Sequence, residues 1–179
     1  MPLIEWVTRR RMKTQYTLLI LTSVLALLGL YFLYRHSPEV STKFFEFHHK
    51  NLRGYLFSGF ISVGSFLLSL HTFVIVNLKD KVFGTKEYKE YYCQAKGIDI
   101  DDINESDLFK PLDNLSAFIN ISIFLSLATA ISQFTLGLST NLYACLFCVW
   151  LGILTIVFLV HCLIIIRQNI RIFLRQEKR

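Results

Sequence analysis

Residues 142–166 read LYACLFCVWLGILTIVFLVHCLIII, 25 positions without an acid, a Lys or an Arg and with a single imidazole, His161. A helix of that length rises about 1.5 Å per residue and crosses a hydrocarbon core of about 30 Å with some tilt. No Pro or Gly separates the run from RQNIRIFLRQEKR, residues 167–179. One helix is therefore expected to leave the membrane and continue beyond it. Cys145, Cys148, Gly152, Thr155 and Cys162 share one stripe of that helix, which suits close approach to neighbouring helices. Arg167, Arg171 and Arg175 recur every fourth residue on the extension, opposite Ile166, Ile170, Phe173 and Leu174. Such a face meets lipid headgroups or a partner.

Three more apolar runs are long enough to span: 17–34, 55–78 and 115–138. The chain is 53% hydrophobic, and a soluble core of 179 residues would have to bury four such uncharged runs. In lipid the backbone must satisfy its own hydrogen bonds, so helices are expected and not strands. The fold class is an all-α membrane protein: one four-helix transmembrane domain, a small helical connection at 79–114 and an extension of the last helix at 167–179. Fifteen Lys and Arg lie beside one set of helix ends (before 17, in 79–114, after 166) and four in the other, 35–54. The positive-inside rule then places both termini in the cytoplasm, N-in and C-in. The formal net charge of +6 is a juxtamembrane charge that meets anionic lipid, and no direct nucleic-acid binding is expected.

TRRRMK ahead of an apolar run has the look of a secretory or twin-arginine leader. No small-x-small cleavage site follows Leu33, so an uncleaved first span preceded by an interfacial arm, 1–16, is expected. The loop 35–54 holds His36, His48 and His49 together with Phe44, Phe45 and Phe47. The aromatics suit a membrane interface. Adjacent His48 and His49 point to different sides of any regular element, and no carboxylate–His spacing supports zinc. Surface histidines are expected there.

Span two carries Ser58, Ser62, Ser65, Ser69 and Thr72 at spacings of 4, 3, 4 and 3, beside Gly59 and Gly64. Span three carries Ser122, Ser126, Thr129 and Gln133. Heptad-spaced hydroxyls let membrane helices approach and hydrogen-bond, so these stripes are expected to form helix seams. Alternatively they line a pore in an oligomer, although no span carries Asp, Glu, Lys or Arg to select an ion. His71, Asn77, Asn120 and His161, with Cys162, fall at one depth near the inner leaflet and are expected to meet there as a structural polar cluster.

The connection 79–114 holds 6 basic and 9 acidic residues. A helix is expected from about Thr85 to Lys96 with Gly97 as its stop, then a second short helix from about Asn104 that Pro111 ends. DIDDINESD lacks the Gly and the twelfth-position Glu of a calcium loop, so no metal is expected. The segment suits docking of a protein. Asp99, Asp101, Asp102, Glu105 and Asp107 supply its charge, and Tyr88, Tyr91, Tyr92 and Phe109 its apolar anchors.

Four spans with Cys145-Leu-Phe-Cys148 resemble the vitamin K epoxide reductase and DsbB-like thiol oxidoreductases, which implies exchange with a quinone and with a second outer cysteine pair. This sequence departs at the relay. Residues 35–54 have no Cys, Cys93 lies in the connection and Cys162 in the inner leaflet. Free Cys is also a common packing residue. No Ser–His–carboxylate set, phosphate-cradling glycine loop or paired intramembrane carboxylates are written in the chain, so neither enzyme activity nor a cofactor is expected. The full layout, a small chain with four spans, cytoplasmic termini and a compact cytoplasmic face, resembles the membrane subunit of the Kiwa anti-phage system. That resemblance implies a bacterial inner-membrane homo-oligomer that recruits a soluble, DNA-binding partner. The expected function is a non-enzymatic sensor or scaffold, with a pore former and a thiol oxidoreductase as the competing classes.

Overall fold

The computed structural model describes residues 12–35, 44–99 and 103–176, with side chains to residue 168 save those of 33–35, 105 and 106. Everything regular in them is helical. Helix α1 is Met12–Arg35, α2 is Phe44–Phe83, α3 is Lys86–Lys96, α4 is Glu105–Leu108, α5 is Lys110–Phe134 and α6 is Leu142–Gln176. Four of them, α1, α2, α5 and α6, are long and apolar enough to cross a membrane.

Several boundaries differ from the sequence reading. The residues 12–16 assigned to an interfacial arm are the first turns of α1. Half of the expected loop 35–54 is helical, because α2 starts at Phe44 and passes through a π-helical turn, His48–Leu52, without a break. A second π turn, Lys79–Phe83, carries it past the expected end. At 40 residues α2 is about 60 Å long, twice the hydrocarbon thickness. Pro111 does not close a preceding helix. It occupies the first turn of α5, where a missing N–H costs nothing.

Local chemistry explains α3. Thr85 is its extended N-cap, accepting from the Tyr88 amide at 3.3 Å while donating to the Val82 carbonyl at 2.9 Å. Gly97 ends it at φ 67°, a left-handed position that costs a side chain dearly. The α5–α6 hairpin turns through a 3-10 turn, Leu136–Leu138, and Asn141 caps α6 by accepting from the Tyr143 amide at 2.9 Å.

Helix α5 is the centre of the bundle. It buries Leu112, Leu115, Phe118, Ile119 and Ile123 together with the polar Ser122, Ser126, Thr129, Ser132 and Gln133. Helix α2 packs along one side of it, and Gly64 permits that approach: a methyl there would stand 3.2 Å from Leu127 and 3.4 Å from Ser126. Helix α6 lies against both, with Phe60 of α2 under Gly152. Helix α1 joins the outside of α6 through Leu19, Phe158 and Leu154, with Phe118 of α5 behind them. Val82 and Phe83 form a small core with Leu112, and α3 leans on it through Tyr88.

Candidate functional site

The side chains with chemistry are drawn into the seams between helices. At the end of the bundle that carries the α5–α6 hairpin, Gln133 reaches in two directions. Its Nε2 donates to the Cys148 carbonyl at 3.0 Å, and its Oε1 faces His48 Nε2 at 3.2 Å. A carbonyl oxygen only accepts, so His48 donates from Nε2 and its Nδ1 bears the lone pair. His48 is fully buried, and among the described residues Nδ1 has no partner. Phe44 stacks on the imidazole at 6.2 Å, one turn earlier on α2. Its neighbour His49 is exposed and accepts from Arg53 at 3.2 Å. The two histidines thus diverge as adjacent helical residues must. The expectation that both lie on a surface is corrected for His48, because the loop meant to hold it is helix and rotates it inward. His36 lies outside the described residues.

Two turns deeper, Thr155 donates to the Leu151 carbonyl at 2.8 Å and takes the Thr129 hydroxyl at 2.7 Å. Ser122 and Ser126 donate to Phe118 and Ser122 carbonyls of their own helix, both at 2.8 Å. These small groups fill the α2–α5–α6 seam without demanding a partner. Trp150 on α6 donates to Ser23 of α1 at 3.2 Å. Towards the other end, His161 meets Gln15 Oε1 of α1 at 2.9 Å, with Phe118 edge-on to its ring at 4.9 Å.

The polar cluster expected of His71, Asn77, Asn120 and His161 does not assemble. His71 pairs with Ser116 of α5 at 3.0 Å, and His161 pairs with α1 on another face of the bundle. Asn77 donates to the Phe73 carbonyl of its own helix, and Asn120 is exposed. Depth set the four near one level, but rotation about each helix axis sent them to different neighbours.

The stripe on α2 is corrected as well. Ser58, Ser62, Ser65 and Ser69 are exposed, each donating to a carbonyl one turn back in its own helix. The α5 stripe instead meets the apolar face of α2 around Phe60, Gly64 and Leu67. Hydroxyls at heptad spacing therefore form one buried seam on α5 and one outward seam on α2.

Of the expected docking residues, Tyr88 and Phe109 are half-buried structural groups and not free anchors. Tyr88 packs edge-on to Phe83 at 4.9 Å, and burial, with Tyr92 and Tyr91 nearby, pushes its hydroxyl pKa up. Phe109 packs on the same core beneath Lys79. Tyr91, Asp99, Asp107 and Arg167 are exposed. Lys96 lies over Tyr92 at 5.0 Å, and a hydrogen bond with that tyrosine pushes its ammonium up from the usual range. Asp101 and Asp102 lie outside the described residues, as do the side chains of Glu105, Arg171 and Arg175.

All four cysteines are free and buried. Cys148 donates to the Ser132 carbonyl at 3.4 Å and Cys145 to the Ser139 carbonyl at 3.7 Å, so both thiols serve as small donors in the hairpin seam. Sequence reasoning passed over Gln15 and Ser23. Their signal was there: Gln15, Leu19 and Ser23 are spaced four apart and form the buried stripe of α1.

Four long apolar helices whose amides, hydroxyls and imidazoles are paired across their seams define a multi-pass helical membrane protein. Comparison with protein-family models, curated proteins and solved structures finds no match to the chain.

Proposed function

We propose that this protein is a non-enzymatic, oligomeric scaffold or sensor of the bacterial inner membrane that recruits a cytosolic protein, as the membrane subunit of a Kiwa-type anti-phage system would. In this reading both termini and α3 are cytoplasmic and the α5–α6 hairpin is periplasmic. The carrying observation is the outward serine seam of α2. Only 11% of that helix's most apolar window is buried, against 50% for α5, while its four serines sit at the spacing that mediates close helix contact in lipid. A second copy of the chain would cover them. The partner surface is the face with Tyr91, Asp99 and Asp107, in which acidic groups repelled by anionic lipid turn towards a protein.

The same outward hydroxyls favour a second reading, a pore lined by α2 in a ring of copies. One experiment separates the two. Subunit mass is measured on the complex in lipid nanodiscs for wild type, Ser62→Leu/Ser65→Leu and Ser62→Ala/Ser65→Ala, beside conductance in planar bilayers. The scaffold reading expects an oligomer that the leucines dissociate and the alanines spare, with a cytosolic protein copurifying and no conductance. A wild-type monomer that captures no cytosolic protein would sink it. Conductance abolished by the alanine variant, with the oligomer intact, would put the pore in its place.

A further inference from the structure

The contact that closes the hairpin end of the bundle is built around an imidazole with room for only one proton. His48 gives its Nε2 proton to Gln133, whose own donor is committed to Cys148 of α6, so this amide cannot flip without losing a bond. Nδ1 is shut away from solvent, and among the described residues no acceptor bonds it. A second proton would place an unpaired N–H and a full charge in a site sealed by the Phe44 ring. The groups facing it offer no relief. On α2, Arg53 is cationic and is hydrogen-bonded to the adjacent His49. On α5 the partner is Gln133, which does not titrate. The titratable groups of α6 in the same hairpin seam are the thiols of Cys148 and Cys145, each already donating to a carbonyl. Among the described residues no carboxylate is bonded to His48, so the buried form holds the neutral ring alone.

His48 also opens the π-helical turn His48–Leu52. Such a turn carries one residue more than the α-helical ladder, so its conversion to α-helix would rotate everything on its N-terminal side.

We propose that His48 is an acid-operated latch: protonation expels its ring from the α5–α6 seam, and the end of α2 before Arg53 swings free of the hairpin. The expelled form binds one proton more than the latched form, so falling pH favours opening, by at most tenfold in the open-to-latched ratio per pH unit. The proposal needs no partner and no oligomer, and it stands or falls apart from the function proposed above.

The test uses spin labels at Phe47 and Tyr143, both exposed, the first on the segment of α2 before Arg53 and the second on α6. They are introduced as cysteines in a chain whose four native cysteines are replaced by alanine, and the full-length protein is held in nanodiscs at pH 7.5 and 5.0. In wild type a second, longer distance population should appear at the lower pH. His48→Gln keeps the donor to Gln133 and takes up no proton, so it should show the neutral distribution at both. His49→Gln and His161→Gln should respond as wild type does. Gln133→Glu offers the charged ring a carboxylate and should hold the latch shut in acid, which also covers the case of a His48→Gln chain that does not fold. An unchanged wild-type distance from pH 7.5 to 5.0 overturns the proposal. So does an acid population that persists in His48→Gln or in Gln133→Glu.

Discussion

Gln133 ties three helices with one amide: it lies on α5, takes a proton from α2 and gives one to α6. Thr129, one turn away, bonds Thr155, which keeps its own tie to the Leu151 carbonyl, and stands 3.3 Å from that same carbonyl. The difference sets an order of cost. Gln133→Ala strands a buried imidazole and a buried carbonyl, and leaving such groups unpaired costs about 1–3 kcal/mol each. Thr129→Val removes one interhelical bond from a site of unchanged shape, worth about 0.6 kcal/mol in membranes. Reversible unfolding in mixed micelles should therefore rank Gln133→Ala well below Thr129→Val, which stays near wild type. Equal losses in the two variants would mean that the Gln133 network carries no more than the threonine pair.

At the scale of elements, α3 shows how a segment too short to persist alone is held. Eleven residues fall below the length at which an isolated helix is stable, so its cap and its one packed ring have to carry it. That ring is Tyr88, whose hydroxyl pKa is raised above the usual 10.0 by burial. The sign follows from the shift. The docked state holds the proton more tightly than the undocked state, so the docking of α3 is at full strength below about pH 10 and weakens as pH climbs through the raised value. Hydrogen exchange over residues 86–96, read as protection relative to an unstructured peptide, should fall above pH 10 in wild type. Tyr88→Phe keeps the contact with Phe83 and removes the ionisation, so it should flatten that alkaline limb. The α3 boundaries themselves could be read from Thr85 and Gly97, because capping is a local backbone matter. The inward turn of Tyr88 could not, since Tyr91 and Tyr92 have the same composition and only the position of the Phe83–Leu112 core selects between them.

Across the whole molecule, α2, α5 and α6 form a packed unit and α1 is an attachment. Its buried residues Gln15, Leu19 and Ser23 all precede Val24, and the residues beyond are mostly exposed. Gln15 to His161 and Trp150 to Ser23 are hydrogen bonds that tie it to α6. Ser23→Leu should force α1 from Trp150 and raise exchange over residues 12–35 by about tenfold, equivalent to about 1.4 kcal/mol of local stability. Residues 110–160 should keep their protection. Equal loosening of α5 and α6 would mean that the four helices open as one unit.

The sequence by itself determined four helical spans, the α3 caps and the unbroken run of α6, because hydropathy over 18 or more residues and the chemistry of helix ends act within a single segment. It also determined that Ser122, Ser126, Thr129 and Gln133 share one face. Which face meets which neighbour was decided only by tertiary packing. In lipid an apolar surface gains nothing by being buried, so helices turn according to shape and the few bonds between them. Gly64 with Phe60 and Leu67 fitted α5 better than the serines did, and the serines, each content with its own helix carbonyl, were left outside. For the same reason His48, written as part of a polar loop, became a fully buried imidazole. Extending α2 back to Phe44 rotated it onto Gln133, a partner 85 positions away that no local pattern could name.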